Sequence, residues 1–349
     1  MTKNIVGVDI GSTSLRAVEV SGAASSRPTI VRFGEIALPP GSVSRGEVLE
    51  PQTVAASLKT LWSTGGFKSK QIVLGMGNQR VLARDLTVAK ASKARIKESL
   101  PFQVQDMLPV PVADALLDFY PVSESMGENG PVVNGLLIAA VKDAVLGNVR
   151  ASKLAGLTTI GVDLIPFAVS RLLVNRPRLA GTVALVDIGA STTSVVLLAN
   201  GVPQFVRIIP TGGDDVTEAL AAKLDISKEL AEGAKRTLGL TPSSATPEEH
   251  KASGVIFETV NDLLGSLRNT VSYYANTRPT ETVSHIVLTG GGSELPGLRE
   301  ALAEVTRLPV VPADPFQGVA LAKTAPEAHL RQHAASLTVA LGLALGSAA

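Results

Sequence analysis

The chain lacks cysteine altogether and has few histidine and aromatic residues. Its 349 residues include no Cys and four His, and Phe, Trp and Tyr together make up 3%. Without cysteine there is no disulfide bond or thiolate chemistry, and four scattered histidines argue against a zinc site. Lys and Arg number 32 against 31 Asp and Glu. A net charge near zero and few rings for base stacking argue against nucleic acid binding.

The sequence also has no long apolar run and no recognisable leader. Residues 337–345 are apolar, but a bilayer-spanning helix needs roughly twenty such residues. No basic amphipathic segment follows them. The chain starts directly with a predicted core strand, which leaves no room for a signal peptide. We therefore expect a cytoplasmic protein without direct membrane insertion, in which 337–345 form a core helix that closes the first half of the fold.

What the sequence does contain is one short motif in two copies. Asp9-Ile10-Gly11-Ser12-Thr13-Ser14 and Asp187-Ile188-Gly189-Ala190-Ser191-Thr192 begin 178 residues apart, about half the chain length. Apolar and alternating patterns predict a strand on each side of each copy and a third strand further on. The predicted strands are 5–8, 15–20 and 29–38, and again 183–188, 194–198 and 204–210. This repetition predicts two similar half-molecules with a nucleotide cleft between them.

The tips of the two predicted hairpins carry small side chains and hydrogen-bond donors. Backbone N–H groups and hydroxyls in such loops can bind phosphate oxygens, and a positive φ at Gly11 would favour the turn. An ordinary hairpin turn without a ligand is the alternative for either copy alone, but two copies in register favour a site. The predicted phosphate contacts are Gly11, Ser12, Thr13 and Ser14, and Gly189, Ala190, Ser191, Thr192 and Thr193.

Each copy of the motif begins with an aspartate at the end of its strand. Mg²⁺ keeps much of its water shell and takes only a few oxygens from a protein, carboxylates among them. Asp9 and Asp187 are accordingly the predicted metal ligands.

A third glycine-rich segment follows a predicted strand at 285–288. Gly290, Gly291 and Gly292 have no side chains, so a base or ribose can lie against their backbone, and the helix predicted from residue 298 favours anions at its N-terminus. The spacing fits neither the G-x-G-x-x-G fingerprint nor a P-loop. For this segment alone, a structural turn is the alternative.

Taken together and in this order, the three segments resemble the actin, sugar kinase and heat-shock chaperone ATPase superfamily. The resemblance implies an α/β fold of the duplicated actin-like (ribonuclease H-like) type, two lobes around a cleft, and ATP with Mg²⁺ as cofactors. It makes Arg16 a phosphate contact, with a surface cation as the alternative. It also assigns nucleotide contacts to Gly212 and Gly213, and to Glu232 and Lys235, for which an intrahelical ion pair is the alternative.

A narrower resemblance rests on several segments spread over the chain: 9–20, 100–103, 107–111, 139–142, 154–157, 162–163, 167–168 and the glycine motifs. In these segments the chain resembles the PilM family of type IV pilus proteins, with the division protein FtsA as the next relative. The resemblance implies a cytoplasmic ATP-binding scaffold that binds the N-terminal cytoplasmic peptide of PilN and is held at the inner membrane through that partner. Contacts with other pilus components, including pilus ATPases, and self-association stay open.

Two other functions compete with the scaffold. An FtsA-like division filament is disfavoured because the basic amphipathic C-terminal helix of such proteins is missing. A small-molecule kinase of the same fold is disfavoured because no sugar-binding segment follows the first loop. For ATP hydrolysis, Asp163 is the candidate to orient the attacking water, and capping of a helix that starts at Pro166 is the alternative. We expect slow hydrolysis at most, with ATP acting as a conformational ligand.

The sequence also predicts how the chain divides into subdomains. Strands at 72–76 and 81–86 are expected to complete the first lobe's sheet. In the inserted subdomain, the edge of 136–141 is the predicted peptide site, with an internal strand packed on Val145 and Val149 as the alternative. The predicted ranges are 1–85, 159–180 and 326–349 for the first lobe, 86–158 for its inserted α+β subdomain, 181–213 and 284–325 for the second lobe, and 214–283 for the insertion of the second lobe.

Overall fold

A computed structural model of the chain describes residues 4–176, 178–240, 246–322 and 327–346, without the side chain of His329. The strands are β1 (Ile5–Ile10), β2 (Ser14–Ser21), β3 (Thr29–Ala37), β4 (Val43–Ser44), β5 (Glu47–Val48), β6 (Gln71–Met76), β7 (Val81–Ala89), β8 (Ala115–Gly127), β9 (Gly130–Val141), β10 (Thr158–Leu164), β11 (Thr182–Ile188), β12 (Thr193–Ala199), β13 (Val202–Ile209), β14 (Val283–Thr289), β15 (Val310–Pro312) and β16 (Ala320–Leu321).

The helices are α1 (Pro51–Thr64), α2 (Lys93–Gln103), α3 (Lys142–Leu154), α4 (Ile165–Ser170), α5 (Gly213–Leu224), α6 (Lys228–Leu238), α7 (Pro247–Thr277), α8 (Leu298–Thr306), α9 (Glu327–Gln332) and α10 (Ala334–Gly346). A π-helical turn, Arg171–Asn175, extends α4. The polar residues at 241–247, which the sequence predicts to form a loop, lie mostly outside the described residues. Among the helices of the described segments, none is both long and apolar enough to cross a membrane.

Two sheets of like topology form the centres of the two lobes. The first has the order β10-β6-β1-β2-β3-β16, and the second has the order β13-β12-β11-β14-β15. In each lobe the first strand pairs antiparallel with the second and parallel with a later strand. The six strands predicted around the repeated motif are all present, with ends within about two residues of the prediction. The duplication predicted from the sequence is therefore confirmed.

Helices cover both faces of each sheet. In the first lobe, α1 and α3 cover one face and α10 the other. The close approach of α10 to β1 requires Gly7, because a Cβ there would lie 1.9 Å from the carbonyl oxygen of Ala340. Helix α4 packs on α10 and on the second sheet and so joins the lobes. Residues 337–345 are buried in α10, as the sequence predicted.

The insertion of the second lobe is helical. The long helix α7 buries an apolar stripe against α5, α6 and α8, as the spacing of its apolar residues predicted. The stripe consists of Val260, Leu263, Leu264, Leu267 and Val271.

The inserted subdomain of the first lobe differs from the prediction in its strand pairing. The segment 81–86 does not complete the first lobe's sheet, because β7 pairs with β9 in a separate sheet of order β7-β9-β8. Residues 136–141 lie in β9, which is paired on both sides. They therefore have no exposed edge, and the prediction of a peptide site along that edge was wrong. The internal strand is what the structure contains.

Two further elements pack in a different part of the fold from the one predicted. Helix α3 falls in the range assigned to the inserted subdomain, but it buries Ala151 with Leu58 and Leu61 of α1 in the first lobe's core. The two-residue strand β16, assigned to the second lobe, pairs with β3 of the first lobe. Both differences arise because packing partners far apart in the chain leave no local pattern in the sequence.

Candidate nucleotide site

The two copies of the repeated motif fold into the same tight turn. The N–H of Gly11 donates to the carbonyl of Ser14 at 3.1 Å, and the N–H of Gly189 donates to that of Thr192 at 2.9 Å. A Cβ on either glycine would lie 3.0 Å from that carbonyl oxygen. Neither glycine has a positive φ, so the expectation of a positive φ at Gly11 was wrong. The tight contact that a Cβ would make favours glycine at both positions.

The two loops meet across one cavity between the lobes. The hydroxyl of Ser191 donates a hydrogen bond to the hydroxyl of Ser12, which joins the tips directly. The cavity has a volume of about 90 Å³. Its lining includes most of the residues predicted from the sequence: Asp9, Gly11, Ser12, Thr13, Arg16, Asp187, Gly189, Ala190, Ser191, Thr192, Gly290 and Gly291.

Asp9 and Asp187 both lie on the wall of this cavity and are only 8% exposed. Burial raises the pKa of Asp9, although the nearby Arg16 guanidinium opposes that effect. Burial and the neighbouring charge of Asp9 raise the pKa of Asp187 to about 7. Within the described residues there is no group of three or more metal-binding side chains. Two carboxylates facing one cavity suit an ion that keeps most of its water ligands.

The glycine at position 290 makes room for the carboxylate of Asp187. Gly290 has a φ of +88°, and a Cβ there would lie 2.5 Å from Asp187 Oδ1 and 2.3 Å from the carbonyl oxygen of Ile188. This third segment therefore packs directly behind the second loop. Gly292 is also close, since its Cβ would lie 2.4 Å from the side chain of Ile188.

Arg16 reaches the cavity between two carboxylates. Its Nη1 lies 3.4 Å from Asp9 Oδ2 and its Nε lies 3.0 Å from Glu35 Oε1. Glu35 also accepts a hydrogen bond from the Ser14 hydroxyl at 3.0 Å, so this hydroxyl is directed to Glu35, and Ser14 does not line the cavity. Although burial acts to raise the pKa of Glu35, the Arg16 charge and the Ser14 hydrogen bond hold it below its usual range.

Sequence reasoning missed Glu35. It stands opposite Arg16 in the pairing of β2 with β3, and it also receives a hydrogen bond from Ser336 at the start of α10. The alternation along β3 could have indicated which face of the strand Glu35 is on. It could not have indicated that Glu35 lies opposite Arg16, because this depends on the register between β3 and β2.

In the second lobe, two predicted contacts are engaged with the protein itself. Thr193 is fully buried and its hydroxyl donates to the Thr211 carbonyl at 2.7 Å, so the expectation that it faces a phosphate was wrong. The N–H of Gly213 donates to the Gly189 carbonyl at 2.9 Å. A Cβ on Gly212 would lie 2.5 Å from the carbonyl oxygens of Gly189 and Ala190. The Gly212–Gly213 turn therefore supports the second loop from behind.

Glu232 and Lys235 form the intrahelical ion pair that was the alternative to a nucleotide contact. This pair is also hydrogen bonded to the Gly212–Gly213 turn. Lys235 Nζ lies 2.5 Å from Glu232 Oε2 and donates to the Gly213 carbonyl at 3.0 Å. The Thr217 hydroxyl donates to Glu232 at 2.7 Å. Burial acts against ionisation, but hydrogen bonds from Lys235, Thr217 and Arg236 lower the pKa of Glu232 to about 2. Their contact with a nucleotide stays a prediction.

Asp163 is not among the residues that line the cavity. It accepts a hydrogen bond from Arg171 at 2.9 Å, and it does not cap α4, whose N-cap is Leu164 without a side-chain hydrogen bond. The cavity wall at this end is formed by Gly75, Gly77 and Ile165. Among the described residues that line the cavity, the ionisable ones are Asp9, Arg16 and Asp187.

Two α/β lobes of like topology, joined by packed helices around a pair of mirrored glycine-containing loops, define the fold of the actin-like ATPases. The family model described as type IV pilus assembly protein PilM matches residues 7–348, and the chain belongs to this family. A solved PilM–PilN type IV pilus biogenesis complex is 28% identical to this chain, with a TM-score of 0.86 and coverage of 100% of both chains. The fold and the family predicted from the sequence are thereby confirmed.

More distant similarities extend over most of the chain. The cell division protein FtsA of Bacillus subtilis (strain 168) is 22% identical over 353 residues, which cover 89% of this chain and 78% of FtsA. MreB5 of Spiroplasma citri bound to AMPPNP is similar in fold, with 12% identity, a TM-score of 0.53 and coverage of 90% of this chain and 92% of that one.

Proposed function

We propose that this protein is an ATP-binding scaffold of the type IV pilus assembly platform, in which ATP with Mg²⁺ acts as a conformational ligand. The observation that carries the proposal is that both copies of the motif, with Asp9 and Asp187, line one cavity between the lobes. The loops would hold the phosphates and the two carboxylates would hold the hydrated ion. A ligand bound by both lobes favours their closed arrangement by its differential affinity for it.

Slow turnover is part of this proposal. In-line attack of water requires a group within hydrogen-bond reach of that water. Ile165 occupies the cavity wall at the end of β10, and Asp163 is paired with Arg171. The bound nucleotide would then persist long enough to act as a structural signal.

The partner we propose is the N-terminal cytoplasmic peptide of PilN, which would also hold the protein at the membrane. The support is family membership and the 28% identity to the chain of a PilM–PilN complex. Because β9 is internal, the peptide needs another edge. Strand β10 ends the first lobe's sheet, and among the described residues it pairs with β6 alone. An extended peptide can add to such an edge through main-chain hydrogen bonds.

Exposed apolar side chains mark this edge. Helix α3 packs against β10, and the hydroxyl of Ser152 hydrogen bonds to that of Thr159 at 2.8 Å. Leu116 pairs with Ala140, close to the start of α3. We call four residues with side chains 39% to 47% exposed the β10 patch: Leu116, Leu146, Ile160 and Val162.

Binding of labelled ATP with and without Mg²⁺, measured beside phosphate release, tests the nucleotide part. Tight Mg²⁺-dependent binding with negligible release supports the scaffold. Release that rises on addition of a sugar would instead identify a small-molecule kinase.

Calorimetric titration with the PilN N-terminal peptide tests the partner part. Val162→Lys places a charge on the β10 patch and is expected to abolish binding. The matched control is Leu230→Lys in the second lobe, where Leu230 is 66% exposed. Equal loss in both variants, or in neither, would place the peptide elsewhere.

A further inference from the structure

A small hairpin of the first lobe reaches the mouth of the cavity. Strands β4 and β5 pair antiparallel around a two-residue turn, Arg45-Gly46. Both turn residues have positive φ, 47° for Arg45 and 75° for Gly46. Such a turn normally uses Asn, Asp or Gly at its first position, because a residue with a Cβ is disfavoured there. An arginine in this conformation indicates that its side chain makes contacts that compensate for the cost of the positive φ.

The hairpin is anchored firmly to its own lobe. Val43 and Val48 are buried in the core beneath α1. The fully buried Asn78 donates from Nδ2 to the Gly46 carbonyl at 3.0 Å and accepts from the N–H of Arg80 at 2.9 Å. The N–H of Gly46 donates to the Ser12 hydroxyl at 3.3 Å. The turn therefore rests on the first phosphate loop and moves with the first lobe.

The side chain of Arg45 crosses to the second lobe. One guanidinium nitrogen donates to the carbonyl of Pro210, and Nη2 lies 3.2 Å from Asp215 Oδ1. The other oxygen of Asp215 accepts from the N–H of Gly212 at 2.7 Å and so caps α5. Arg45 is thus connected through Asp215 to the Gly212–Gly213 turn, which supports the second phosphate loop. The next residue, Gly46, contacts the first phosphate loop.

We infer that Arg45 is a positioning residue that latches the two lobes over the nucleotide site and slows the release of the nucleotide. Its contacts with Pro210 and Asp215 exist only while the lobes are close together, so they stabilise that arrangement selectively. This inference rests on the proposed nucleotide site and adds a residue to it. Hydrogen bonds to charged groups are strong enough for loss of the latch to change an equilibrium by about tenfold.

The first test is the dissociation rate of a fluorescent ATP analogue in the presence of Mg²⁺. Arg45→Ala is expected to release it about ten times faster than the wild type, again from the strength of charged hydrogen bonds. Arg80→Ala is the matched control, because Arg80 pairs with Glu47 of the same hairpin and within the same lobe. Arg45→Lys keeps the charge but not the two-pronged geometry, so an intermediate rate is expected.

A second test measures lobe separation directly. The chain has no cysteine, so spin labels can be placed at Lys59→Cys on α1 and Lys251→Cys on α7, both exposed. In the protein without nucleotide, Arg45→Ala is expected to lengthen and broaden the distance distribution, with an unchanged thermal midpoint. Arg80→Ala should leave the distribution as it is.

The outcomes separate the latch from the proposed function. If the wild type binds the analogue and Arg45→Ala releases it at the wild-type rate with the same spin-label distances, the latch is refuted. If the wild type binds no nucleotide, the proposed function fails, and the spin-label distances still decide whether Arg45 holds the lobes together.

Discussion

Asp9 and Asp187 lie 178 positions apart in the chain and end the first strands of the two lobes, yet their carboxylates line a single cavity. Each is buried, and the charge of Asp9 is one cause of the raised pKa of Asp187. Placing two carboxylates together away from water is unfavourable unless a cation or a proton compensates. Arg16, 3.4 Å from Asp9, offsets part of this cost. A metal ion held by both carboxylates would offset more of it, and this leads to the first prediction.

Asp187→Asn is expected to stabilise the metal-free protein, and more so at higher pH. A carboxyl whose pKa rises from 3.8 to about 7 on folding favours the folded state below 3.8, and this contribution is lost as the pH rises through about 7. Each pH unit corresponds to about 1.4 kcal/mol, so the stabilisation should be about 2–3 kcal/mol larger at pH 8 than at pH 5. Denaturant unfolding in EDTA measures it, with the exposed Asp262→Asn as control. A difference independent of pH would contradict the prediction.

Asp9→Ala is expected to remove the dependence of ATP binding on Mg²⁺. Loss of a group that orients metal-bound water commonly lowers metal affinity by about 10–100-fold. The affinity measured in Mg²⁺ should fall to the value measured in EDTA, while the affinity in EDTA changes little. Asp262→Ala on the exposed face of α7 is the control. Undiminished Mg²⁺ dependence in Asp9→Ala would remove this residue from the metal site.

Lys235→Ala is expected to weaken the binding of ATP and of ADP by the same factor, about tenfold for a lost charged hydrogen bond. Lys235 holds Glu232 and the Gly213 carbonyl together behind the second loop, and it is outside the cavity lining. Competition by tripolyphosphate should therefore be unchanged. Lys228→Ala on the same helix, where Lys228 pairs with Glu218, is the matched control. A larger effect on ATP than on ADP would indicate a phosphate contact instead.

Gly290→Ala is expected to be severely destabilising, by about 2–4 kcal/mol, because a Cβ on a positive-φ residue is strained and meets backbone here. Its Cβ would lie 2.3 Å from the Ile188 carbonyl oxygen, whereas a Cβ on the neighbouring Gly291 would contact nothing within 4 Å. Thermal unfolding of the two variants side by side gives the comparison. Equal stability of Gly290→Ala and Gly291→Ala would show that the packing behind Asp187 is not as described.

Asp163→Asn is expected to leave the rate of phosphate release unchanged. Its carboxylate is paired with Arg171 outside the cavity lining. The expected effect is a loss of at most about 1 kcal/mol of stability, the usual range for a partly exposed ion pair. Single-turnover phosphate release and urea unfolding measure the two quantities. A strong loss of phosphate release would restore Asp163 as the water-orienting residue.

The parts of the site that could be predicted are those written in short stretches of chain. A buried strand, a small polar tip and a second strand form one continuous segment, 5–21 in the first copy and 182–199 in the second, and both copies folded as expected at Asp9 and Asp187. The predictions that were wrong depended on distant partners. The sequence of β7 predicts a strand, but nothing in it indicates that this strand pairs with β9.

The remaining site residues could not be predicted for the same reason, because they too depend on distant partners. Glu35 is linked to Arg16 by the register of two strands, and Ser14, predicted to face a phosphate, is directed to Glu35 by that same register. Arg45 sits in a six-residue hairpin too short for a periodic pattern, and its partner Asp215 is 170 positions away. Such a pairing exists only once the lobes have come together.

By itself, the sequence determined that the protein has two like lobes, and which loops and aspartates face the space between them, because hydrophobic periodicity and turn chemistry act over a few residues. The tertiary structure alone decided which sheet each further strand joins, which edge stays open, and which charged side chains bridge the lobes. These features depend on shape and charge complementarity between segments that are close in space but far apart in the sequence.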